Sequence, residues 1–139
     1  MAALKAGTLY FAAVFALGFV LGTLRVLVVI PALYDFGGET AAIFIELPII
    51  LTGSWFICRW IVTRYAVPTA INVRAAMGAI AFALLMIAET VLSVTAFGQT
   101  MGEHFAAYAT FNGALGLGGQ IVFALFPLAQ LRGARDRQA

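Results

Sequence analysis

The sequence predicts an all-α integral membrane protein, a four-helix bundle whose helices run antiparallel in an up-down-up-down order. The 139 residues are 63% hydrophobic and only 10% charged, with a mean hydropathy of +1.03, whereas soluble domains carry roughly 25% charged residues. The apolar residues also fall into four long runs, each near the roughly 20 residues that a helix needs to cross a bilayer. We therefore expect a single transmembrane domain over residues 1–139, with the lipid bilayer around it.

The four helices are predicted over residues 7–34, 40–65, 75–97 and 105–128. The first apolar run is much longer than the core of a signal peptide, about 7–15 residues, so we interpret it as a retained helix. The acidic turn that follows contains Gly37 and Gly38, which permit a tight reversal. Pro68 marks the second loop, and the polar segment 98–104 forms the third. Residues 132–139 are predicted to be a basic, mobile tail.

The basic residues predict how the helices are oriented. Lys5 precedes the first helix, Arg59, Arg64 and Arg74 flank the second loop, and further arginines fill the tail, while the first and third loops contain no Lys or Arg. The positive-inside rule then places both termini and the second loop on the cytoplasmic side of the membrane. Because the charge excess lies at segment ends, it indicates topology and no nucleic-acid partner.

Each predicted helix carries one strongly polar group within its apolar run. Counted from the predicted helix ends at 1.5 Å per residue, the four groups lie roughly 9–13 Å below the same surface. A charge in hydrocarbon costs about 2.5–3.5 kcal/mol, so we expect Arg25, Glu46 and Glu89 to converge and Arg25 to contact at least one carboxylate. The candidate ligand- or ion-binding residues are Arg25, Glu46, Glu89, Asn112, Tyr108 and Ser93.

Three interpretations of this polar layer remain open, one of which is that it faces a different protein. The layer could be structural, with Arg25 paired to a glutamate and Asn112 completing the hydrogen bonds so that the helices keep their register. Alternatively, it could line a cavity that binds or passes a proton, an ion or a small polar molecule. Two carboxylates beside one guanidinium leave one formal negative charge, so one glutamate is expected to take up a proton.

Six glycines are expected at positions of close helix packing. Small residues let two helix backbones approach in a membrane, where lipid supplies no hydrophobic drive for association. Gly18 and Gly22 form a GxxxG pair on the face that also carries Arg25. The six positions are Gly18, Gly22, Gly53, Gly78, Gly116 and Gly119.

Most catalytic and cofactor motifs are missing from the sequence. There is no GxSxG, P-loop, GxGxxG or HExxH pattern, and we predict no catalytic residue, no cofactor and no metal site. The one histidine, His104, is expected in an exposed loop beside Glu103, which is weak evidence for a metal. The one cysteine, Cys58, lies inside an apolar run and is expected to be buried and inert.

The segments Gly22-Thr23-Leu24-Arg25-Val26 and Glu46-Leu47-Pro48, within four apolar runs, resemble a poorly characterised group of small bacterial four-helix inner-membrane proteins. The resemblance implies the same fold and membrane but no activity.

The first function that we expect is binding or passage of a proton, ion or small polar molecule. The second is a non-catalytic accessory subunit of a larger membrane complex, and the third is an enzyme acting on a lipid. A homo-oligomer or a larger complex is expected in each case.

Overall fold

The computed structural model describes residues 1–135, with side chains through Leu131, and these residues form helices and short connections with no strand. The first apolar run forms α1 (Ala2–Leu24), a π-helical turn (Arg25–Val29) and α2 (Ile30–Ala32), followed by a 3₁₀ turn (Tyr34–Phe36). The remaining helices are α3 (Gly38–Arg64), α4 (Ile71–Thr95), α5 (Met101–Ala107) and α6 (Phe111–Arg135).

Four helices are long and apolar enough to cross a membrane, as predicted. These spans are Ala2–Ala32, α3, α4 and Phe111–Leu131, with mean hydropathies between 1.6 and 2.4. The first three spans begin up to five residues before their predicted starts and end within about two residues of their predicted ends. The prediction of one helix over residues 105–128 was wrong, because residues 108–110 form a turn between a short helix, α5, which Thr100 and Glu103 cap at its start, and α6. Thr110 then accepts a hydrogen bond from the Gly113 N–H, 3.1 Å away, at the start of α6.

The expected tail at 132–139 was also partly wrong. Helix α6 continues to Arg135, so the chain does not leave the helix at residue 132. Residues 136–139 lie outside the described part of the chain.

The first span and α6 each pack against both α3 and α4, which gives a four-sided arrangement of spans. We call one end of the bundle the Thr40 end, where the Thr40 hydroxyl donates to Asn112 Oδ1 over 3.0 Å. The other is the Arg74 end, where the Lys5 ammonium lies 5.2 Å from the centre of the Tyr65 ring. The buried core belongs to the Arg74 end and the middle of the spans: Ala6, Tyr10, Val14, Cys58, Ile61, Val67, Met77, Ala81, Leu85 and Phe123.

Tyr10 supplies a hydrogen bond that a proline has removed from α6. Pro127 has no N–H, so the Phe123 carbonyl, four residues earlier, lacks its partner within the helix. The Tyr10 hydroxyl donates to that carbonyl over 3.1 Å, and the Tyr10 and Phe123 rings stack with centroids 4.4 Å apart. Since Tyr10 is 0% exposed, this bond satisfies a backbone group that no water reaches.

Arg74 stabilises the connection between α3 and α4. Its Nε donates to the Pro68 carbonyl over 3.0 Å and its Nη2 to the Val67 carbonyl over 3.1 Å. This loop starts at Ala66, whose φ of 46° is left-handed, and its carbonyls would otherwise lack helical partners. Arg74, one of the arginines that flank this loop, is therefore a buried structural residue.

The six candidate packing glycines fall into two groups. A methyl group on Gly78 would collide with the Ala124 carbonyl oxygen, and one on Gly18, Gly53 or Gly119 would meet the end of a side chain of a neighbouring span. These four glycines pack closely inside the chain, as predicted. Gly22 and Gly116 have nothing within 4 Å of that position, so neither packs closely against another span of this chain.

We predict that Tyr10→Phe lowers the free energy of unfolding by roughly 1–3 kcal/mol, since it leaves a buried carbonyl without a donor. Pro127→Ala restores the N–H at position 127, so Tyr10→Phe should cost much less in that background. Unfolding in mixed micelles can be followed by the reaction of Cys58, the only cysteine, with a thiol-reactive dye. Equal losses in the two backgrounds would contradict the hydrogen-bond assignment.

We also predict that Gly78→Ala destabilises the protein by roughly 1–3 kcal/mol, because a backbone carbonyl cannot move aside as a side chain can. Gly22→Ala and Gly116→Ala are matched controls. Both should be neutral or slightly stabilising, because alanine favours the helix by about 0.8–1.0 kcal/mol. The same thiol assay measures all three, and a Gly116→Ala loss as large as that of Gly78→Ala would be inconsistent with the packing described.

Candidate functional site

A partly open cavity of about 1070 Å³ lies between the four spans toward the Thr40 end. Most of its wall is apolar, and it reaches down to Ser54 and Phe123 beside the buried core. Exposed residues of the rim, such as Glu39 and Thr110, line it as well, and so does the exposed Phe19 on the side of α1. The cavity therefore extends from the exposed rim at the Thr40 end to the core, and the first span forms part of its wall. Its charged lining residues are Arg25, Glu39, Glu46 and Glu89.

Arg25 enters the cavity from the π-helical turn of the first span. Pro31 lacks an N–H, and its ring crowds the carbonyl four residues earlier, that of Leu27. The wider turn at Arg25–Val29 accommodates this, with the Ile30 N–H donating to the Arg25 carbonyl. π-Helical turns are often found at functional sites, and here the turn begins at the charged residue.

Arg25 and Glu46 form an ion pair across the cavity wall. The Nε atom of Arg25 lies 2.8 Å from Glu46 Oε2, so the predicted contact between Arg25 and a carboxylate is confirmed. The contact is an electrostatic one, since Nε makes no aligned hydrogen bond. The side chains are 27% and 18% exposed, so each charge still faces the cavity. The guanidinium and this carboxylate therefore offset each other's charge.

Glu89 belongs to a second polar group, formed with α6 and the segment before it. Gln120 Nε2 donates to Glu89 Oε2 over 2.6 Å, and the Tyr108 hydroxyl makes a longer contact of 3.5 Å with the same oxygen. Among the described residues Glu89 has no salt-bridge partner, and the ion pair of Arg25 is with Glu46. Arg25, Glu46 and Glu89 thus line one cavity, but the expected single layer is divided into two groups.

Tyr108 extends the second group to His104. The Tyr108 hydroxyl lies 3.2 Å from His104 Nε2, and the two rings pack edge to face. Burial, followed by the charge of Glu89, raises the pKa of Tyr108, so its hydroxyl stays protonated as a donor. His104 is only 9% exposed, so the expectation of an exposed loop histidine was wrong.

A capping box positions His104 by fixing the start of α5. The Thr100 N–H donates to Glu103 Oε2 over 2.8 Å, and the Glu103 N–H donates to Thr100 Oγ1 over 3.2 Å. The backbone and hydroxyl of Thr100 lower the pKa of Glu103. Glu103 and His104 therefore interact with different partners, although they are adjacent in sequence.

The other two candidates have local partners. Asn112 accepts the Thr40 hydrogen bond and lines the cavity, but it does not complete the hydrogen bonds of Arg25. Ser93 donates to Gln99 Oε1, which holds the turn after α4, and it is not among the lining residues. Gln120 was missed as a site residue, although it follows Asn112 and Gly116 at four-residue spacing on one face of α6. That spacing could have identified it.

Comparison with protein families, curated proteins and solved structures gave no match to this chain. The fold and the site are therefore the basis for assigning a function. They define a helical membrane protein, by the length and composition of its spans, with a charged cavity between those spans.

We predict that Arg25→Ala lowers the free energy of unfolding more than Arg25→Ala combined with Glu46→Gln, because the single change leaves a carboxylate without its cation. The coupling should be roughly 1–3 kcal/mol. Arg25→Ala with Glu89→Gln is the matched control, and its coupling should be clearly smaller. The double-mutant cycle uses the Cys58 unfolding assay. Simple addition of the Arg25 and Glu46 losses would contradict the ion pair.

Proposed function

We propose that this protein binds a small polar or charged species in the cavity between its spans, or passes such a species or a proton across a membrane. The observation that carries the proposal is the partly open cavity of about 1070 Å³ with one arginine and three glutamates in an apolar wall. Ligand pockets are typically about 300–1,000 Å³, mostly apolar, with a few placed polar groups. The size and lining of this cavity fit that description.

The alternative that the polar layer only holds the helices together explains part of the site. The Arg25–Glu46 pair suits a structural role, since each charge needs the other in an apolar bundle. That role does not account for Glu89, whose two contacts both reach Oε2 and leave Oε1 without a protein partner. Charged groups within a membrane face a cavity or a partner because lipid does not solvate them. A polar occupant of the cavity would give Glu89 such a partner.

The accessory-subunit alternative relied on glycine faces to bind a larger complex. Gly18, Gly53, Gly78 and Gly119 pack against neighbouring spans of the same chain. These faces therefore provide no argument for an external partner, and the expected homo-oligomer or larger complex stays a prediction. No contact in the described residues favours the third alternative, an enzyme acting on a lipid.

For the topology, we propose an up-down-up-down arrangement in a bacterial inner membrane, with both termini on the cytoplasmic side. Lys5 lies over Tyr65, and Arg64 lies 6.0 Å from the same ring. The start of α1 and the end of α3 therefore bring basic residues to one end of the bundle. Trp60 packs on Tyr65 with ring centroids 6.4 Å apart. Aromatic rings with basic residues are typical of the cytoplasmic interface.

The proposal predicts flux of protons or small ions in proteoliposomes above that of empty liposomes. Glu89→Gln should reduce flux or binding about tenfold, because it removes a charged hydrogen-bond acceptor worth roughly 1.5–3 kcal/mol. Asp35→Asn, an exposed carboxylate that does not line the cavity, is the matched control and should leave flux unchanged. The Cys58 assay verifies that each variant is folded. A folded protein with no flux and no binding across pH and candidate ions would overturn the proposal.

A further inference from the structure

The charges of the cavity wall favour a cationic occupant. Arg25 is offset by Glu46 at 2.8 Å, while Glu89 is held by an amide and a hydroxyl, both neutral. Glu39 adds a further carboxylate at the exposed rim. An anion would meet uncompensated carboxylates, whereas a cation would compensate the charge of Glu89.

One oxygen of Glu89 and one oxygen of Gln120 lack donors. Both contacts of Glu89 are made by Oε2, so Oε1 accepts none. Gln120 donates through Nε2 and its Oε1 is a buried atom without a hydrogen-bond partner. Because a carboxylate can only accept, the amide must present its NH₂ group to Glu89, which leaves the amide oxygen as the free acceptor. Gln120 Oε1 is enclosed by the protein, so an occupant with N–H donors would meet Glu89 Oε1.

The wall below Glu89 accommodates an apolar body. The lining continues through Leu85, Ile50 and Phe123 to Ser54 beside the core. From Glu46 to Ser54 the wall follows α3 for about 12 Å at 1.5 Å per residue. Phe15, Phe19 and Phe97 also line the cavity, and aromatic faces attract cations as well as apolar chains. Since exposed residues of α1 form part of the wall, an amphiphile dissolved in the lipid would reach the cavity from the side.

We propose that the occupant is an amphiphilic ammonium ion, a primary or secondary amine on an apolar body, with its N–H groups on the Glu89 carboxylate that Gln120 holds in place. This inference rests on the proposed function and names the class of its ligand. The same headgroup chemistry occurs in a free alkylamine and in phosphatidylethanolamine.

The experiment measures saturable binding of radiolabelled octylamine to the full chain in nanodiscs of phosphatidylcholine, whose headgroup carries no N–H. Octanol, octanoate and octyltrimethylammonium serve as competitors of matched chain length. We expect octylamine to bind and to be displaced poorly by all three.

Glu89→Gln should weaken octylamine binding about tenfold or more, as loss of a charged acceptor does, and Gln120→Leu should weaken it as well. Asp35→Asn should leave it unchanged, and Cys58 protection checks the fold of each variant.

Displacement by octanol or octanoate as strong as by unlabelled octylamine would overturn the ammonium assignment but leave the proposed function standing. Equal displacement by octyltrimethylammonium would overturn the role of the N–H donors. If none of the four compounds bound to the folded chain and no flux were observed, both the proposed function and this inference would be refuted. Adding phosphatidylethanolamine to the nanodiscs distinguishes the two sources of the headgroup. If phosphatidylethanolamine competes with octylamine, the site binds a lipid headgroup; if it does not compete, the site binds a free amine. Both results support the proposal.

Discussion

The structure depends on the need of backbone groups in an apolar bundle to find hydrogen-bond partners within the chain. Lipid offers no hydrogen bonds, and an unsatisfied backbone group there costs several kcal/mol. The Phe123 carbonyl, freed by Pro127, accepts from Tyr10. The loop carbonyls of Val67 and Pro68 accept from Arg74. In each case a side chain from another part of the sequence replaces a bond that the local backbone cannot make, and these bonds fix how the spans meet.

The same constraint divides the bundle into a closed end and an open end. Toward the Arg74 end, small residues such as Gly78 let the backbones approach closely, and the core excludes solvent. Toward the Thr40 end, long polar side chains stand between the spans, and glycines such as Gly116 face open space. Arg25 pairs with Glu46, and Glu89 accepts a hydrogen bond from Gln120. These side chains do not fill the space between the spans. A cavity with unused acceptors is the consequence, and it is the basis for the proposed function and ligand class.

The sequence predicted much of the site, and the errors have physical reasons. Depth counting brought Arg25, Glu46 and Glu89 to one region, and the Arg25–Glu46 contact is present. Depth counting could not predict that Glu89 interacts with Gln120. Two helices that carry polar groups at the same depth can still pack at several rotations about their own axes. His104 was misplaced because Thr100 and Glu103 cap a short helix, α5, which brings His104 next to Tyr108 four residues later. Hydropathy does not show this helix, but the Thr-x-x-Glu pattern of its capping box could have indicated it.

The sequence by itself determined the helical class, the number of spans and the level of the charged residues, because hydropathy and helix rise depend on local composition. It also determined that Cys58 would be a buried, unpaired thiol. Only the tertiary structure decided which glycines meet a neighbour, which carbonyl Tyr10 caps and which oxygens remain free. Those outcomes depend on the rotation and spacing of whole helices, which are set by the sum of many side-chain contacts and by no single segment.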